Sequence, residues 1–205
     1  MHQYVQRAVI AACLLSGTLL LAHQPRIVAA DTVLVRKPGI SQAFYGTLTG
    51  KPVVFLINAQ DSLNLHVNLM APMVESTPAP ELAVEVASDD SNLFVLQAAP
   101  GTWNVFHEFF IWDDYYRGPQ RTVQVPPGRY TLRLSGKQQT ESYVLVVGLK
   151  ERFPPKEILN ILALLPRMKR DFFGKSPWFA YCNPFSLMII GSAALLVGLI
   201  YVIAR

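Results

Sequence analysis

Residues 185–204 form a run of twenty without a charged side chain, closed by Arg205. At about 1.5 Å of rise per residue, a helix made from this run reaches roughly 30 Å, the hydrocarbon thickness of a bilayer. Eleven of the twenty are Leu, Ile, Val or Phe, so insertion is favourable by about 3–7 kcal/mol. A chain with such a run is organised around it. We take 184–205 as a single C-terminal transmembrane helix and expect everything upstream to be held at a membrane surface.

The N-terminus has a different pattern. Arg7 precedes the apolar stretch 8–22, then polar His23-Gln24-Pro25-Arg26, then Val28-Ala29-Ala30 before Asp31. A short positive region, a 7–15-residue apolar core and small residues before a cut are the parts of a secretory signal peptide. The expectation is therefore a signal over 1–30, cleaved after Ala30. Of the two cysteines, Cys13 lies inside the apolar stretch and Cys182 just before the anchor, which excludes a disulfide framework or a cysteine metal site in the middle of the chain.

Charge is unevenly spread. Residues 31–150 hold nine Lys/Arg against eleven Asp/Glu, and 151–180 hold six against three. The basic balance thus belongs to a segment beside the membrane, with lipid and not nucleic acid as its partner.

Between Thr32 and Leu149 the apolar pattern has period two, clearest in Leu63-Asn64-Leu65-His66-Val67-Asn68-Leu69. Turn signals at Pro38-Gly39, Gly50-Lys51-Pro52, Gln60-Asp61-Ser62 and Asp89-Asp90 separate eight or nine short strands. This predicts an all-β, antiparallel, jelly-roll-like sandwich over 31–150. In 123–134 Pro127 and Gly128 suit the central positions of a type II turn, which predicts a hairpin with Tyr130, Leu132 and Leu134 facing inward.

A strand, a Pro-Gly turn and then Gly128-Arg129-Tyr130-Thr131-Leu132 near the end of a small sandwich resemble the bacterial extracytoplasmic modules of the pre-peptidase C-terminal type. The overall plan is also similar to that of GOLD-domain cargo receptors. Their paired cysteines, long stalk and sorting tail have no counterpart here, so the resemblance implies the fold alone.

Seven of the chain's 22 aromatic residues fall within 103–116. Trp103, His107, Trp112, Asp113, Asp114, Tyr115, Tyr116 and Arg117 are the candidate binding residues, since rings beside carboxylates can hold a sugar or peptide. The competing expectation is a long loop folded over one end of the sandwich, its rings completing the core. His107-Glu108 opens a zinc-protease pattern whose second histidine position is Ile111, and no acidic spacing matches a calcium loop. No metal or cofactor is expected, nor is a catalytic motif present.

After Pro154-Pro155, the residues Ile158, Leu159, Ile161, Leu162 and Leu165 recur at helical spacing, and Pro166 predicts the end of a helix of about eleven residues. Arg167, Lys169, Arg170, Lys175 and Trp178 then mark a membrane-surface segment, so 151–183 is read as membrane-proximal. These cations lie on the domain side of the anchor, against the positive-inside rule, whereas the signal-like N-terminus places the domain outside. Gly191, Ala194 and Gly198 make a stripe of small residues suited to helix packing, in a homodimer or a larger complex.

The function this predicts is that of a bacterial inner-membrane binding or assembly module facing the periplasm, with another membrane or envelope protein as partner. The alternative is a membrane-anchored hydrolase or glycan-processing enzyme using carboxylates near the aromatic stretch.

Overall fold

The computed structural model describes residues 23–75, 77–109 and 111–203. The apolar run 8–22 of the expected signal, Cys13, Phe110 and the closing Arg205 lie outside these residues. Among the described residues the strands are β1 (Gln24–Ile27), β2 (Thr32–Leu34), β3 (Gln42–Leu48), β4 (Val53–Ala59), β5 (Leu63–Pro72), β6 (Leu82–Ser88), β7 (Asn92–Ala98), β8 (Asn104–Glu108), β9 (Asp113–Val125), β10 (Gly128–Gly136) and β11 (Glu141–Val147). They form two sheets, ordered β1-β3-β11-β5-β9-β8 and β2-β4-β10-β6-β7. From β3 to β6 the chain changes sheet at every strand, so the core between the sheets is assembled from residues distant in sequence.

Alternation in the strands builds that core. Phe44, Leu65, Val67, Leu145 and Val147 from the first sheet meet Phe55, Ile57, Val84, Leu132 and Leu134 from the second in one buried cluster. The edge strands β1 and β2 pair parallel with β3 and β4, so the sandwich is antiparallel except at one edge of each sheet. Strand β1 belongs to the sheet although it lies upstream of Asp31, inside the segment 1–30 expected as a signal.

The predicted hairpin over 123–134 does not form: β9 and β10 lie in different sheets. Pro126 and Pro127 have no N–H to offer a ladder, and they turn the chain from one sheet to the other. Gly128 is not among the positive-φ residues, as a type II turn would require. The corner is closed by Tyr130, whose hydroxyl donates to the Pro126 carbonyl at 2.6 Å.

The first sheet is buried on both faces at its middle, along β11. In β11, Tyr143, Leu145 and Val147 point between the sheets, and Val144 and Val146 point outward. That outer face is covered by α1 (Pro155–Phe173), through Ile161, Leu165, Met168, Phe172 and Phe173. The predicted stop at Pro166 is therefore a correction. An interior proline costs about 3 kcal/mol, but burial of Met168, Phe172 and Phe173 returns about 1.5–3 kcal/mol each. Helix α1 ends instead at Gly174, whose φ of 61° suits a glycine.

A 3-10 turn, η1 (Pro177–Ala180), leads to α2 (Pro184–Ile203), twenty residues long with no acidic or basic side chain in its terminal turns. Taken over the described residues alone, no helix is long and apolar enough to cross a membrane. The start of α2 is fixed in place: Asn183 Oδ1 accepts from the Ser186 N–H at 2.8 Å, and Ser186 Oγ donates to the Ala180 carbonyl at 2.8 Å.

Candidate functional site

The aromatic stretch is a β-hairpin, β8 and β9, and not a long loop. Its tip is shaped by Glu108: the Ile111 N–H donates to Glu108 Oε2 at 2.8 Å and the Trp112 N–H to the Glu108 carbonyl at 2.8 Å. Trp112 has a φ of 59°, a left-handed conformation that a bulky side chain adopts at a cost. Strand periodicity then divides the rings among three environments.

Tyr115 faces α1, and its hydroxyl lies 2.8 Å from that of Tyr45. Burial pushes both phenols well above their ordinary pKa. Trp103 and Tyr116 pack against the inter-sheet core, with the Trp103 indole donating to the Pro80 carbonyl at 2.9 Å. Gly118 makes room for Trp103, since a Cβ there would come within 2.8 Å of the ring. Arg117 stacks over Phe106, 3.6 Å from the ring centroid. Phe109 and Trp112 at the tip are exposed, with the His107 ring edge-on to Trp112 at 4.8 Å.

The candidate carboxylates also separate. Asp114 lies 2.8 Å from His107 Nδ1 at the surface. Asp113 is buried and bonds two lysines at 2.6 Å, Lys169 through Oδ2 and Lys175 through Oδ1. Glu108, in register with Asp113, lines a cavity of about 20 Å³ with His23 and Tyr45, room for about one water.

Lys169, expected at the membrane surface, is thus buried, because it neutralises Asp113 and donates to the Ile111 and Trp112 carbonyls. The pairing ties α1 to the hairpin tip. Lys175 belongs to the same cluster and stays half exposed. Arg167 and Arg170 are exposed, and both pair with Asp171, at 3.2 and 2.7 Å. Trp178, Phe179 and Tyr181 are exposed as well. Gly191, Ala194 and Gly198 are exposed along α2, and a Cβ added at Gly191 or Gly198 would meet nothing within 4 Å.

His66 bonds Thr122 Oγ1 at 2.8 Å and His107 bonds Asp114. Thr122 and Asp114 are eight residues apart along β9, roughly 26 Å, so the two histidines do not meet. Among the described residues no group of three or more His, Cys, Asp or Glu side chains could hold a metal. Sequence reasoning missed the Asn183 cap and the coupling of Asp113 to Lys169. For the cap a signal existed in Asn183-Pro184-Phe185-Ser186, an N-cap residue followed by proline.

No family model matches the chain, and no curated protein matches it. Among solved structures, the pre-peptidase C-terminal domain of a collagenase from Bacillus anthracis is similar at 13% identity and a TM-score of 0.39, covering 58% of this chain and 95% of that one. The Yersinia pseudotuberculosis-derived mitogen is similar at 8% identity and a TM-score of 0.36, covering 57% and 92%. A CBM35 module from Cellvibrio japonicus Abf62 is similar at 17% identity and a TM-score of 0.29, covering 50% and 70%. At these identities and scores the similarities carry no ligand, activity or residue role over to this chain.

Proposed function

We propose that this chain is a membrane-anchored binding or assembly module: a jelly-roll-like sandwich held by α2 on the periplasmic side of a bacterial inner membrane, with its hairpin end resting on the bilayer. The observation that carries the reading is the gathering of exposed rings at one end of the domain. Phe109 and Trp112 at the hairpin tip share that end with Trp178, Phe179 and Tyr181, because Lys169 and Lys175 clamp Asp113 between the hairpin and the helix that leads to α2. Amphipathic rings beside cations suit the headgroup boundary.

The anchor itself is supported by the uncharged run 185–204 and by exposed Leu195, Val197, Ile200 and Val202, an apolar surface that a domain in water does not leave uncovered. The N-terminal signal pattern supports the orientation. A partner helix in the same envelope complex, or a second copy, would use the stripe of Gly191, Ala194 and Gly198.

The test keeps Trp112 as the single tryptophan (Trp103→Phe, Trp178→Phe) in the full chain reconstituted into vesicles. Brominated lipid is expected to quench Trp112, and alkaline carbonate is expected to leave the chain in the membrane. Release by carbonate would overturn the anchor; retention without quenching would overturn the placement of the hairpin.

A further inference from the structure

The opposite end of the sandwich carries a groove of about 410 Å³ lined by Arg26 of β1, Arg36 and Lys37 of the β2–β3 loop, and Arg152 ahead of α1. Its one carboxylate is Glu157, and four cations less one anion leave a formal surplus of three positive charges. Arg26 is engaged with Glu157 in a fork, Nη1 at 2.5 Å from Oε1 and Nη2 at 3.2 Å from Oε2. Burial alone would raise the Glu157 pKa, but hydrogen bonds from Arg26 and Asn160 bring it below the usual range, so this carboxylate is ionised and already used. The head groups of Arg36, Lys37 and Arg152 make no hydrogen bond or ion pair with the described residues.

The loop that carries two of these cations is built rather than slack. The buried amide of Gln42 donates to the carbonyl of Arg36 at 2.9 Å and approaches those of Lys37 and Ile40 at 3.4 Å. Lys37 has a φ of 56°, strained for a residue with a side chain. Gly148, at φ 88°, lies so close under the loop that a Cβ would come within 2.6 Å of the Pro38 carbonyl oxygen. Three like charges held together without partners repel one another, and a bound polyanion relieves that repulsion. Guanidinium groups match the oxygens of phosphate in bidentate geometry, and a phosphate monoester or diphosphate supplies the two or more charges that a lone carboxylate lacks. The volume lies in the range of small-ligand sites.

We infer that this groove binds a phosphate-bearing ligand. The site is independent of the anchor. Gln42 is in register through Val147 and Val67 with Arg121, eight residues along β9 from Asp113, so roughly 26 Å of strand separates the Gln42 side of the groove from the ring-bearing end. If α2 spans a bilayer as proposed, the groove faces away from it, toward a soluble phosphate ester or the headgroups of another membrane.

The experiment uses the full chain in nanodiscs of zwitterionic lipid, titrated calorimetrically with inorganic pyrophosphate, with a second arm measuring cosedimentation with phosphatidylglycerol vesicles. Saturable pyrophosphate binding is expected, weakened about tenfold or more in Arg36→Gln/Arg152→Gln and unchanged in Lys51→Gln/Arg133→Gln, which removes the same two charges from exposed positions outside the groove. Binding of pyrophosphate without vesicles identifies a soluble ligand, and binding of both identifies a headgroup. Absence of saturable binding in both arms, or equal affinity in the double variant at unaltered melting temperature, would overturn the inference.

Discussion

Lys169 Nζ lies 2.6 Å from Asp113 Oδ2 across 56 positions of sequence, with side-chain exposures of 2% and 0%. The two ions are costly to bury and are compensated by each other, by Lys175 and by two backbone carbonyls. Their pairing fixes the docking of α1 on the first sheet.

Lys169→Met is accordingly expected to destabilise the domain by about 3–5 kcal/mol, since it strands Asp113 with one half-exposed partner. Lys175→Gln is expected to cost less, because that lysine is half exposed and solvent screens it. Urea unfolding of the two variants measures the difference. A Lys169→Met protein as stable as the parent would mean the pair does not hold the helix.

Stability should also depend on pH through His23. Burial first, then the neighbouring charges of His66 and Arg117, lowers its pKa from 6.5 to about 4. Because the folded value is the lower one, the unfolded chain binds more protons between these limits. Stability is therefore intact above about pH 6.5 and falls as the pH drops through about 4, by roughly 3 kcal/mol when complete. His23→Asn is expected to flatten this part of the curve; a parent and variant with parallel urea midpoints from pH 7.5 to 4.5 would contradict it.

Tyr143 and Gly46 form a third case. The Tyr143 hydroxyl is buried without a hydrogen-bond partner among the described residues, and a Cβ on Gly46 would overlap the Tyr143 ring. Tyr143→Phe is expected to be neutral or stabilising, whereas Gly46→Ala should cost about 1–3 kcal/mol. Thermal melts of both variants check the sign.

The small-residue stripe on α2 leads to a prediction about association. Gly198→Ile should weaken self-association or partner association in a membrane two-hybrid assay, whereas Ile200→Leu, on the opposite side of the helix, should not. Equal signals from the two would remove any packing role for the stripe.

Much of the architecture was legible in period two, because most strands bury one face and expose the other. The unbroken Val144-Leu145-Val146-Val147 is the pattern of a strand buried on both faces, a sign of a covering element that the reading by alternation passed over. What sequence could not show was partnership. Pro126-Pro127-Gly128 reads locally as a turn, and nothing local says whether the strands beside it pair or part to different sheets. Lys169 reads as a surface cation because its counter-charge lies 56 positions away. The rings of 103–116 read as one cluster, for binding or in a loop completing the core, but strand alternation sends Tyr115, Tyr116 and Trp112 to three separate surroundings. The groove cations went unnoticed because Arg26, Arg36 and Arg152 come together only when β1 docks beside β3.

That docking bears on any cleavage of the proposed N-terminal signal. The strand β1 covers the outer backbone of β3 with four residues. A peptidase cutting after Ala30 would remove it and leave the seven-residue β3 with a free row of N–H and C=O groups. A vacancy of that shape accepts an extended segment from another polypeptide, so the position of the cut decides how long an edge the sheet offers to a foreign strand. A cut after Ala22 would leave the four-residue β1 at that edge, and a cut after Ala30 would expose the longer β3 in its place.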